Sequence, residues 1–123
     1  MCRYILITFL LLISISCSQS ISIDGFDSET WIHDADGCKG DRKILVELLD
    51  KQKNVLLGKD QDQIIELLGK PDVHEIYKRS QTFFIYSIDP GSSCSNYVTD
   101  KTLAKLTLRY NALGRIHEVF YYR

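Results

Sequence analysis

The chain predicts an α+β fold in which two short helices pack on one face of a three- to four-stranded antiparallel sheet. Three observations carry that expectation. Apolar residues recur at helical spacing in two segments between Asp41 and Leu68, strand-like alternation takes over from Val73 onward, and turn-forming residues separate the successive runs. Helices that come first and strands that follow segregate into two layers, rather than alternating as in a parallel sheet.

The N-terminal residues read as an export signal. A single charge at Arg3 precedes an apolar run from Tyr4 to Ile15, which is shorter than the roughly 20 apolar residues a membrane-spanning helix needs. Ser14-Ile15-Ser16-Cys17 closes the run, and the small Ser16 suits cleavage before a lipidated Cys17. Bacterial lipoprotein signals usually carry Leu where this chain has Ser14, so the competing reading is an ordinary secretory signal cut near Ser16 to Ser20. Residues 1–16 are therefore expected to be a lipoprotein signal peptide, 17–28 a lipid-anchored tether and 29–123 a single domain.

Trp31 to Arg42 is an irregular lead-in rich in turn formers, with Trp31 expected on the core. Asp41 is placed to cap a first helix, in which Ile44, Leu45, Leu48 and Leu49 face inward while Arg42, Lys43, Glu47, Asp50 and Lys51 fall largely outside. A second helix at Gln61 to Leu68 has explicit start and stop signals. Asp60 and Gln63 have capping-box spacing, Ile64, Ile65, Leu67 and Leu68 give an apolar face, and Gly69 followed by Pro71 ends it.

Val73 to Arg79 and Thr82 to Ile88 predict a hairpin around Arg79-Ser80-Gln81, broken after Ile88 by Asp89-Pro90-Gly91. Ala104, Leu106, Leu108 and Tyr110 alternate with Lys105, Thr107 and Arg109, as in a strand with one buried face. Asn111 to Gly114 turns the chain back into a last strand, Arg115 to Tyr122, whose mixed pattern suggests a bulge or two apolar faces. With both helices on one face, the other face must meet water or a partner. Phe83, Ile85 and Tyr121 are expected there, and several aromatics on an uncovered face mark an interaction site.

Cys2 leaves with the signal and Cys17 takes lipid, so Cys38 and Cys94 remain to form a disulfide in an oxidising envelope compartment. A reactive thiol or a metal site is the competing reading, although neither cysteine has a second Cys or His at ligand spacing. Lys and Arg number 15 against 16 Asp and Glu, and the signs are interspersed, so no nucleic-acid partner is expected. His33, His74 and His117 each have acids nearby but share no spacing motif, and phosphate loops, nucleophile elbows and helical metal pairs do not occur. No catalytic residue, metal or cofactor is expected.

Gly58, Ile64, Leu67-Leu68-Gly69-Lys70-Pro71-Asp72, then Phe84-x-Tyr86, then Leu106-x-Leu108-x-Tyr110 with Gly114-Arg115-Ile116 and Val119 form a pattern that resembles the SmpA/OmlA (BamE-like) family of small bacterial outer-membrane lipoproteins. The resemblance covers Leu56 to Tyr122, and Trp31, Cys38 and the Cys94 loop are no part of its pattern. It implies two helices on an antiparallel sheet, a fold similar to one repeat of the β-lactamase inhibitor protein. It also implies a non-enzymatic interaction or assembly scaffold, held to the outer membrane by its lipid with the periplasmic face favoured, and an envelope protein as partner. The alternative is an inhibitor or ligand-binding module in which the Cys94 loop presents Tyr97. Phe83, Ile85, Tyr97 and Tyr121 are thus the candidate partner-binding residues.

Overall fold

Four strands, β1 (Val73–Tyr77), β2 (Gln81–Ser87), β3 (Lys105–Tyr110) and β4 (Ile116–Tyr122), pair as antiparallel neighbours in chain order. The computed structural model describes residues 19–99 and 102–122, so the expected signal peptide and Cys17, the expected lipidation site, lie outside the described residues. Three α-helices precede the sheet among the described residues: α1 (Ser28–Ile32), α2 (Asp41–Lys51) and α3 (Gln61–Leu68). The fold is α+β, with one short helix more than the sequence suggests.

Alternation in β2 and β3 places Phe84, Tyr86, Leu106, Leu108 and Tyr110 on one face, where they meet Trp31 of α1, Val46 and Leu49 of α2, and Ile64, Leu67 and Leu68 of α3. Each such buried side chain contributes about 1.5–3 kcal/mol of transfer free energy. Helix α3 begins and ends where its local signals place it. Gln63 N–H donates to Asp60 at 2.9 Å and the Asp60 N–H donates back to the Gln63 side chain at 3.1 Å. Gly69 follows with φ 73°, and a β-carbon there would lie 2.9 Å from Ile32, so the turn and the α1–α3 contact both require glycine. Ile65, expected inside, is 41% exposed, because eight residues offer the core only the arc of Ile64, Leu67 and Leu68.

Helix α2 is rotated from its expected orientation. Its inward line is Arg42, Val46 and Leu49, whereas Ile44 is 76% exposed. Asp41 is the first helical residue rather than the cap; Gly40 stands before it with φ 83° and no capping side chain. The buried Asp34 serves instead, accepting from Arg42 N–H at 2.9 Å and Lys39 N–H at 2.6 Å.

Residues 17–28 were expected to be tether, but from residue 21 onward this stretch packs on the domain. Ile23 is buried, Ile21 and Phe26 lie against the core, and the Gln52 side chain holds the Asp24 carbonyl. Alternate isoleucines gave that stretch enough apolar surface to dock.

The last strand contains the bulge. Tyr110 pairs with Ile116 but Arg109 pairs with Glu118, which leaves His117 as an extra residue. Every later side chain therefore changes face. Tyr121 pairs with Leu106 and packs against the core, so its expected place on the uncovered face is corrected; Phe120 and Tyr122 stand there instead. Uninterrupted alternation from the buried Ile116 would have sent Tyr121 outward.

At the β1–β2 turn, Arg79 and Ser80 have φ of 64° and 58°. A non-glycine residue in this region costs about 1–2 kcal/mol. Arg79→Gly is expected to raise stability by about 1 kcal/mol in urea unfolding, and a loss of stability would show that the arginine side chain holds the turn.

Candidate functional site

The face of the sheet away from the helices is built in cross-strand rows that follow from the register. Val73, Ile85, Thr107 and Phe120 form the central row; Glu75, Phe83, Arg109 and Glu118 lie on one side of it, with Ser87, Lys105 and Tyr122 on the other. Phe83 and Ile85 are half-buried, Tyr77 and Tyr122 exposed. Tyr77 meets Phe83 edge to face at 4.9 Å, and Phe120 stacks on Tyr122 at 6.1 Å, so the aromatics are ordered by one another. Arg109 and Glu118 pair at 2.9 Å across β3 and β4, and Tyr77 donates to Glu75 at 3.1 Å. That hydrogen bond to a carboxylate, with its negative charge, raises the Tyr77 phenol pKa.

Tyr97 reaches the same face at its end. It lines a recess of about 150 Å³ with Val73, Ser87, Leu103 and Lys105. The structure thus brings Phe83, Ile85 and Tyr97 onto one side and leaves Tyr121 on the other. Phe120 and Tyr122 were missed as contributors; the signal that could have found them is His117, which interrupts the alternation of the last strand.

What positions the Tyr97 loop is a polar cluster that composition did not reveal. Arg42, 1% exposed, lies 5.1 Å over the Trp31 ring and 5.6 Å over the Tyr86 ring. Its guanidinium donates to Asp72 at 2.6 Å, to the Trp31 carbonyl at 3.0 Å and to the Ser87 carbonyl at 3.3 Å. Asp72 also accepts the N–H groups of Asp36 and Ser87, both at 2.8 Å. Asp36 in turn accepts from the Ser87 hydroxyl at 2.7 Å and from the Ser93 hydroxyl at 2.6 Å. The Cys38–Cys94 disulfide lies beside this cluster and joins the lead-in to the loop. Gly91 fits because a β-carbon there would collide with the Asp36 carboxylate.

Partial burial acts to raise the Asp36 pKa, but the hydrogen bonds from Ser93 and Ser87 and the Arg42 charge outweigh it and hold the carboxyl below its ordinary value. A depressed acid contributes stability above its unfolded pKa and loses it as pH falls through the folded value, here below about pH 4. The S87A/S93A variant should therefore lose less unfolding free energy than the native chain between about pH 5 and pH 2, measured by urea titration at each pH. An equal loss would remove Asp36 as the source.

The histidines do not converge. His33 stands at the end of α1 with its ring on the Glu29 carbonyl, His74 lies against Phe84 on strand β1, and His117 is on β4 at the opposite edge of the sheet. Among the described residues no group of three or more His, Cys, Asp or Glu side chains is placed to hold a metal ion, and no helix is long and apolar enough to cross a membrane. No protein-family model, no curated protein and no solved structure matches this chain.

Proposed function

We propose that this chain is a non-enzymatic, lipid-anchored protein of the bacterial envelope, whose uncovered sheet face binds an envelope protein at the outer membrane. The observation that carries the reading is the ordered row of Val73, Ile85 and Phe120 with Phe83, Tyr77 and Tyr122 around it, opposite a sheet face already filled by three helices. A central aromatic and aliphatic cluster with charged residues at its margin is the composition of a protein-binding patch. The leader ending at Ser16-Cys17 supports the anchor, and the resemblance to the SmpA/OmlA family supports the outer membrane.

In-cell photocrosslinking from Phe83, from Phe120 and, as a control on the helix side, from Ile44 tests this. Capture of one identified outer-membrane protein from Phe83 and Phe120 but not from Ile44 is expected. A Phe120→Ser change should lower capture from Phe83 by roughly tenfold. Equal yields from all three positions would sink the reading.

A second reading, an inhibitor or ligand-binding module, is favoured by one observation: Tyr97 and Val98 are exposed on a loop whose base is closed by the disulfide. Capture of a soluble enzyme from Tyr97 alone would select it.

A further inference from the structure

The two edges of the sheet are finished differently. Strand β1 is five residues long, carries Glu75 in its middle and runs directly into Lys78 and Arg79, features that blunt an edge against pairing. Strand β4 is seven residues long, and along its outer side the chain begins a fifth strand position without completing it. Gly58 N–H donates to the Ile116 carbonyl and Ile116 N–H to the Lys59 carbonyl, both at 2.9 Å, and Asp60 forms an antiparallel bridge with Arg115. The bulge at His117 lies where that pairing stops, and the β3–β4 register is regular beyond it. Among the described residues, Glu118 to Phe120 therefore have a strand on one side only, β3.

On the other side the chain before Gly58 has turned away through the single 3-10 turn Lys53–Val55, and a recess of about 230 Å³ is left beside the strand. Leu57, Val119 and Phe120 are its apolar lining, with Lys53, His117 and Glu118 among its polar lining. An open strand edge binds backbone in extended form, and an adjoining pocket selects one of the alternate side chains of the added strand. Leu57 is exposed, so an apolar side chain seated in the recess would cover it. Glu118 is already engaged by Arg109 at 2.9 Å, whereas Lys53 meets Asp50 only at 3.7 Å on an exposed surface, so the charge left for an incoming chain to answer is positive. We propose that β4 accepts an extended segment of another protein as a fifth strand, antiparallel to β4 in the line that Gly58 and Lys59 begin, with one large apolar residue in the recess and an acid beside it. The proposal does not rest on the sheet face binding a protein, since Phe83 and Ile85 take no part in it.

The probe is a random nonapeptide library displayed on phage and selected on the full chain in a maltoside detergent with its disulfide intact; enriched sequences are then made as free peptides. Alternating sequences with one large apolar residue next to an acid should be enriched. Amide hydrogen exchange within Glu118 to Phe120 should slow by roughly tenfold or more in the complex. N-methylation of the peptide should weaken binding by roughly tenfold at alternate positions and leave the others unchanged, which is the period of a paired strand. Leu57→Asp, at an exposed position outside the core, should weaken binding by roughly tenfold, and Phe83→Ser should leave it unchanged. Failure to enrich any sequence, equal effects of N-methylation at every position, or full affinity in Leu57→Asp would overturn the proposal, and a loss in Phe83→Ser with none in Leu57→Asp would overturn it in favour of the sheet face.

Discussion

Arg42→Ala is expected to destabilise the domain by about 3–5 kcal/mol, out of the roughly 5–15 kcal/mol that holds a domain of this size together. The cost does not come from the lost attraction alone. Asp72, whose side chain is 10% exposed, would keep a charge with no cation beside it, and the Trp31 and Ser87 carbonyls would lose a donor. The rings of Trp31 and Tyr86 would also face a void where the guanidinium lay. Urea denaturation of R42A, D72N and the R42A/D72N double variant separates these contributions. The double variant should be more stable than R42A, since an uncharged pair leaves no stranded carboxylate, and the coupling energy should be about 2 kcal/mol. A cost below about 1 kcal/mol for R42A would mean that Asp72 finds water instead.

Loss of the Cys38–Cys94 bond should cost about 4 kcal/mol, because the linked residues are 56 apart in sequence and their separation is released in the unfolded chain. The C38A/C94A variant, compared with the native chain with and without reductant, measures it. The native chain under reductant should match the variant. If it keeps its full stability, the polar cluster around Asp36 suffices to hold the loop.

How much of this was legible in the sequence varies with the range of the signal. Helix α3 was readable to its ends because each signal acts within one turn of the end it marks, Asp60 with Gln63 at the start and Gly69 with Pro71 at the stop. Phe83 and Ile85 were readable as outward residues because β2 alternates without interruption between two neighbours. Arg42 was not. A charged residue on a helix ordinarily faces water, and the partners that bring it inside come from Asp72 and Ser87, 30 and 45 residues away. The cap of α2 failed for the same reason, since Asp34 reaches it across a loop. Tyr121 failed through a single unpaired residue, because the mixed pattern of the last strand suggests a bulge without fixing which residue it sets aside.

The order of strands along the sheet has a consequence for the time course of folding. Each strand lies beside its neighbour in the chain, so the sheet can grow by successive short closures, whereas the lead-in must find the end of β2 and the Cys94 loop across about fifty residues. The lead-in is therefore expected to dock after the folding barrier, and the cysteine bond joins the two parts that meet last. Oxidation should then leave the refolding rate nearly unchanged and slow unfolding instead, giving the domain a long lifetime rather than a fast start.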